Sequence, residues 1–450
     1  MTQDRTASLV PVLMLGAWLL LPRPVQAQEI RNTFVHLGNG VPGVLYEPLT
    51  AGPKARIGIF VMHSGGDYLQ FSACTELSKR GYRVLCANNT TAKSGTENDL
   101  NMDRGLLDAK LGVAYLRQYP GIRKVVLFGH SGGGALLASY QGIAEGGLKA
   151  CQGAEKLLKC ADSLAGLPPA DGLMLIDSNY GLSTMALFSL DPAVVDEGSG
   201  MKVDPALDLW NPQNGFNIDG ARYGAEFTRR YQSAVGRREN QLIGMALDRL
   251  AKINSGQGRY SDDEPFIVPG ATYNGINNKF FAQDTRFLSH TRRPWPLLHG
   301  DGTVTTEVVH SVRLPENMTA TTSALGGALK STVRKFLNTF AVRVGDDFGF
   351  DEDSIRGVDW TSSYTTPAGS VQTVTVPLLT MGMTAHWEFL AAEIIYEHAR
   401  SADKTIAFVE GATHGYTACT RCEKTPGQFG DTVKTTYDYV DGWLGKPGRF

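Results

Sequence analysis

Lys124-Val125-Val126-Leu127-Phe128-Gly129-His130-Ser131-Gly132-Gly133-Gly134-Ala135-Leu136-Leu137 reads as a strand, a tight turn and a helix in direct succession. The apolar run is rich in Val and Leu, as strands buried on both faces are. It ends at glycines, and a helical apolar pattern from Ala135 to Tyr140 follows at once. Ser131 lies at the apex, at the centre of Gly129-x-Ser131-x-Gly133. A serine on so sharp a strand-to-helix turn sits in a strained backbone, and its neighbours must lack side chains for the turn to close. The helix behind it offers free N–H groups and the positive end of its dipole to a developing oxyanion. A glycine-rich turn that happens to hold a serine would need neither the strand before it nor the helix after it, and both are here.

With this elbow the chain resembles the α/β-hydrolase superfamily, over about residues 56–180 and 370–445. The resemblance implies an α/β fold: a mostly parallel central sheet, helices on both faces, and a nucleophile, acid and histidine in that chain order. Ser131 is then the nucleophile. His414, in Glu410-Gly411-Ala412-Thr413-His414-Gly415 after the last expected strand, falls where the family puts its base. Asp177 ends the run Gly172-Leu173-Met174-Leu175-Ile176-Asp177, a position that some lipases of the superfamily use for the acid. The commoner Gly-x-x-Asp after the penultimate strand is absent, because Gly382-Met383-Thr384-Ala385 ends in alanine. Glu388 close by is the alternative acid, and Asp177 is preferred because Glu388 reads as part of a helix. The superfamily's His-Gly-Gly loop corresponds to His63-Ser64-Gly65-Gly66, where serine replaces the first glycine. The oxyanion hole is therefore expected from the N–H of Gly132 and that of Gly65 or Gly66. His63 and His130 are read as structural, and His386 as a polar group facing a cap.

Outward from the elbow, the chain alternates strands and helices. A hairpin is expected over residues 32–49, turning at Gly38-Asn39-Gly40, followed by strands at Arg56–His63 and Tyr82–Ala87. Val374–Met381 and Thr405–Val409 resume the pattern after a long interruption. The stretch 179–370 loses the alternation and is far too long for an ordinary connection. It is read as a mainly helical or irregular cap, with helices around Tyr223–Ile253 and Leu329–Val342. The expected divisions are an export signal over 1–27, a core over 28–178, the cap over 179–370 and the rest of the core over 371–450.

Composition bounds the function. The 450-residue chain carries a formal charge of -2, which supplies no basic field for nucleic acid. Arg5, an apolar run from Ala7 to Leu21 and the small residues Val25-Gln26-Ala27 form a secretory signal with cleavage after Ala27. That predicts a secreted or periplasmic protein without a lasting membrane span. Six cysteines fit such a compartment, and Cys151 with Cys160, and Cys419 with Cys422, are spaced for local disulfides. No metal-ligand set and no phosphate or dinucleotide loop is present, so no cofactor is expected. The reading is a hydrolase of small-molecule carboxylic esters. Trp210, Tyr223, Phe227 and Trp295 are available to favour a bulky or aromatic substrate. A peptidase or amidase with the same triad, or an inactive hydrolase fold used for binding, are the alternatives.

Overall fold

The computed structural model describes residues 29–91, 100–198, 202–271, 279–315 and 327–450. The expected export signal lies outside these residues. Among them, the strands in chain order are β1 (Ile30–His36), β2 (Pro42–Pro48), β3 (Ile57–His63), β4 (Arg83–Asn88), β5 (Lys124–Ser131), β6 (Gly172–Ser178) and β7 (Pro265–Pro269). There follow β8 (His290–Leu298), β9 (Val304–His310), β10 (Ala328–Thr332), β11 (Val344–Phe350), β12 (Ile355–Val358), β13 (Leu378–Met383) and β14 (Lys404–Val409).

Ten of these strands form one sheet in the order β1-β2-β4-β3-β5-β6-β13-β14-β8-β9. The centre from β4 to β8 is parallel, and β1, β2 and β9 run antiparallel at the edges. The strands β5, β6 and β13 are buried along almost their whole length because helices cover both faces. On one face the helices Met102–Gln118, Gly132–Gly146 and Ala391–His398 press Leu106, Leu136 and Ile395 into one apolar cluster. On the other, Ser72–Lys79 and Thr432–Leu444 bring Leu77, Tyr437 and Trp443 into a second. Asn101 and Asp431 start two of these helices, each accepting an N–H from three residues on.

The middle of the chain differs from the expectation. The span 179–370 is not all outside the core, because β8 and β9 extend the central sheet beyond β14. Pro294 and Pro296 hide that strand from a pattern reading, since proline cannot donate to a ladder. β8 meets β14 only through Leu297 and Leu298, past both prolines. The segment expected as a helix at Leu329–Val342 is helical over Val333–Phe340, a short α turn running into a π turn, while its first residues are the end of β10. The rest includes a 30-residue helix, Ala225–Asn254, and the strand pairs β7–β10 and β11–β12.

All six cysteines are paired, as Cys74–Cys86, Cys151–Cys160 and Cys419–Cys422. Among the described residues, no helix is long and apolar enough to cross a membrane.

Candidate active site

Ser131 ends β5 with φ 53° and ψ -130°, a conformation that non-glycine residues avoid. The glycines beside it permit the turn. A Cβ on Gly129 would lie 2.8 Å from the Gly133 carbonyl oxygen, and one on Gly133 would lie 2.5 Å from that of Met62. Half-buried Ser131 thus stands at the C-terminal edge of a parallel strand, at the head of the helix Gly132–Gly146. Strand order, parallel direction and this elbow together define the architecture. The chain has the α/β-hydrolase fold.

The next strand over carries Asp177 to the same edge of the sheet. The register between β5 and β6 slips so that Ser131 pairs with Ser178 while His130 pairs with Ile176. Asp177 is left over as a bulge with φ 48°. Bulges re-aim side chains, and aspartate tolerates the left-handed region better than most residues do. Its carboxylate is buried and fully engaged. Oδ1 accepts the Met383 N–H at 3.0 Å, and Oδ2 accepts Nδ1–H of His414 at 2.7 Å and of His386 at 3.0 Å. Burial alone would raise this carboxyl, but the two imidazoles overcome it and hold it well below the usual range.

His414 sits in the tight loop after β14. An isolated bridge between Ala412 and Ala418 closes the loop, with Thr413 N–H donating to the Thr417 carbonyl at 2.8 Å. The imidazole is sandwiched between two others: His130 at 4.3 Å and His386 at 4.1 Å between ring centres. Both neighbours are neutral rings. Burial, with the adjacent His414, holds His386 down to about 4 and His130 well below its usual value. His130 donates from Nε2 to the His414 carbonyl at 2.7 Å and accepts the Tyr68 hydroxyl at Nδ1. Because His414 donates its Nδ1–H as a hydrogen bond to Asp177, Nε2 is left as the basic nitrogen.

Glu388 is also here. It lies buried on the 3₁₀ turn Trp387–Leu390, which runs directly into the helix Ala391–His398 as expected, with Oε2 3.5 Å from His414 Nδ1. Asp177, His386, Glu388 and His414 hold four donor atoms within 4.8 Å of one another. Ligands around a tetrahedral zinc stand roughly 3.3 Å apart. Asp177 Oδ2 approaches both rings more closely than that, so the group is arranged as hydrogen bonds rather than as a ligand cage.

The glycines of the β3 loop do not lie as expected. Gly65 N–H donates to Nδ1 of His63 at 3.0 Å and Gly66 N–H to the same atom at 2.5 Å. Both are committed to their own loop, contrary to the expectation that one of them faces an oxyanion. Gly132 N–H is at the helix start, as expected. The aromatics expected to meet substrate are also placed otherwise. Trp210 packs edge-on to Phe216, and Tyr223 and Phe227 pack on each other, Tyr223 also on Phe280. Trp295 donates to Glu393 on the outer part of the sheet. An open cavity of about 720 Å³ does adjoin the site, lined among others by His386, His414, Leu314, Arg421 and the Cys419–Cys422 turn.

His386 and Tyr68 are not legible as neighbours of the elbow, since their spacing from Ser131 follows no motif, whereas His130 lies in the elbow itself and is read there only as structural. No protein-family model and no curated protein matches the chain significantly. Solved structures do resemble it in outline. A hypothetical protein from Pseudomonas aeruginosa is 13% identical with TM-score 0.40, the match covering 94% of this chain and 95% of that one. The siderophore hydrolase EstB from Aspergillus fumigatus is 10% identical with TM-score 0.39, covering 92% and 98%. A soluble variant of monoglyceride lipase from Saccharomyces cerevisiae is 12% identical with TM-score 0.38, covering 94% and 98%. Identities this low carry no information about substrate.

Proposed function

We propose that the protein is a serine hydrolase that cleaves carboxylic esters through an acyl-enzyme. The observation that carries this reading is the 2.7 Å bond from His414 Nδ1 to the buried Asp177, next to a serine held on a strained elbow. Ser131 Oγ attacks the ester carbonyl while His414 Nε2 takes its proton. Asp177 holds the ring in that tautomer and stabilises the imidazolium that forms. Gly132 N–H, at the positive end of its helix, stabilises the oxyanion. The tetrahedral intermediate collapses and the imidazolium hands its proton to the leaving alcohol. Water then enters, loses a proton to His414, and displaces the acyl group from Ser131 by the same steps in reverse.

The stretch 179–370, apart from β8 and β9, is proposed as a cap above this site. The disulfides support an oxidising location, in keeping with an export signal at 1–27.

The test is labelling with a fluorophosphonate probe and turnover of p-nitrophenyl esters beside the matching anilides. The wild type should label and should prefer esters. Ser131→Ala should fold yet lose labelling and activity, by on the order of 10⁶ in kcat as for other triads. Persistent labelling in the variant would remove Ser131 from the role, and faster anilide turnover would make the protein an amidase or peptidase.

A further inference from the structure

The hydrogen bonds of the β3 loop run the opposite way to an ordinary oxyanion loop. Two consecutive backbone donors, of Gly65 and Gly66, converge on a single ring nitrogen, Nδ1 of His63. A nitrogen that accepts two hydrogen bonds carries no proton. The neutral ring must then carry its proton on Nε2. Burial and the nearby His414 keep the ring neutral, lowering its pKa to about 3. The ring is also fixed in place. It stacks on Tyr68 with centres 4.5 Å apart and planes 12° from parallel. Asn89 Nδ2 donates to the carbonyls of both His63 and Ser64, which pins the backbone beneath it.

The free edge of this ring points towards the elbow. A Cβ built on Gly132 would lie 3.2 Å from His63 Nε2 and 3.4 Å from its Cε1. Gly132 directly follows the nucleophile and supplies the first oxyanion donor. Among the described residues, no acceptor takes the Nε2–H.

We propose that His63 is a catalytic residue, its Nε2–H acting as the second donor of the oxyanion hole in place of the Gly65 or Gly66 amide. The proposal rests on Ser131 being the acylated nucleophile. The loop amides keep a role, as the clamp that fixes the tautomer. A side-chain donor held by two amides and a stacked ring is preorganised, as oxyanion stabilisation requires. Glycine is needed at 132 because any side chain there would meet Ser64 Oγ and crowd the same edge of His63.

Two substitutions separate the two edges of the ring. His63→Asn keeps an acceptor oxygen near the Nδ1 position, so the loop stays clamped, but has nothing at Nε2. His63→Gln reaches the Nε2 position with an N–H donor. His63→Asn should keep its fold and its KM for p-nitrophenyl acetate but lose about 10²–10³ in kcat, the usual cost of one oxyanion donor. His63→Gln should recover at least about tenfold of that, and phenylboronic acid, whose serine adduct is tetrahedral, should bind His63→Asn weaker in proportion to kcat. Wild-type kcat in His63→Asn, or no advantage of His63→Gln over it, would overturn the proposal. So would a hundredfold loss in Ser64→Ala with none in His63→Asn, which would make the Ser64 hydroxyl the donor. If neither variant folds, histidine nitrogen NMR of the wild type decides. Two rings, His63 and His130, must stay in the Nε2–H tautomer from pH 5 to 9, and the resonance assigned to His63 must shift on boronate binding; an Nδ1–H tautomer or an unmoved resonance for His63 ends the idea. Fluorophosphonate labelling of the wild type tests the nucleophile by itself, so failure of that reading is seen independently.

Discussion

At the residue scale, the central question for the proposed triad is which carboxylate orients His414. Asp177 Oδ2 lies at 2.7 Å from Nδ1 and Glu388 Oε2 at 3.5 Å. Only the shorter contact is a hydrogen bond of normal strength, and Asp177 is also tied to the Met383 N–H. Replacing the orienting acid of a triad by its amide costs about 10⁴ in kcat, because the ring then adopts the wrong tautomer. Here Glu388 remains beside the ring and can take up part of the role. We therefore expect Asp177→Asn to lose about a thousandfold in kcat with KM little changed, and Glu388→Gln to lose less than about tenfold. The double variant should fall well below Asp177→Asn alone. The reverse ranking, in proteins whose circular dichroism shows them folded, would assign the acid to Glu388.

At the element scale, the loop after β14 is what presents His414, the proposed base. The Ala412–Ala418 bridge and the Cys419 N–H to Gly411 carbonyl bond at 2.8 Å make it a closed miniature hairpin. The Cys419–Cys422 disulfide caps its end and lines the cavity beside His414. So short a crosslink removes little entropy from the unfolded chain, about 2 kcal/mol at most. Its larger effect is on the order of the loop. Replacing both cysteines by serine should lower the melting temperature by only a few degrees while reducing kcat several-fold, because His414 samples more positions. A variant with wild-type kcat would show that the backbone bridge alone holds the loop. This element also shows what could be read in advance. A histidine in a glycine-rich loop after a terminal apolar strand follows from local pattern, as does the elbow. The β8 strand, interrupted by Pro294 and Pro296, and the rings around His414 depend on long-range contacts that no local pattern carries. The place of the β3 loop is legible from its glycines, but the direction of its N–H groups depends on the His63 rotamer, which sequence does not encode.

For the molecule as a whole, several buried titrating groups make stability depend on pH in both directions. His63, His130 and His386 have folded pKa values below their unfolded ones, largely through burial. Their contribution is complete above the unfolded value near 6.5 and is lost as pH falls towards about 4 for His386 and about 3 for His63. Glu239 has the opposite sign. Burial raises it to about 8, against the Val342 N–H and Arg238, so its contribution is complete below its unfolded value and is lost as pH rises to about 8. Each unmatched proton changes stability by on the order of 1.4 kcal/mol per pH unit. Three histidines less one glutamate leave two, so stability should rise by up to about 3 kcal/mol per unit towards pH 6.5. Above that the Glu239 effect remains and stability should decline gently to pH 8. Urea midpoints at pH 5, 6.5 and 8 check this. A midpoint at pH 5 above that at pH 6.5 would contradict it, and Glu239→Gln should flatten the alkaline side.

The pair of carboxylates at His414 has a consequence for how such a site can change over generations. Asp177 is the bulged residue near the end of β6 and Glu388 follows β13, its direct neighbour in the sheet, yet both reach the same imidazole edge. On the proposed mechanism, a descendant that lost Asp177 would not fall straight to inactivity. It would keep a weak enzyme leaning on Glu388, on which small repacking of the Trp387–Leu390 turn could act. The orienting role could in this way pass from one strand to the next through working intermediates, with the nucleophile and the base left where they are.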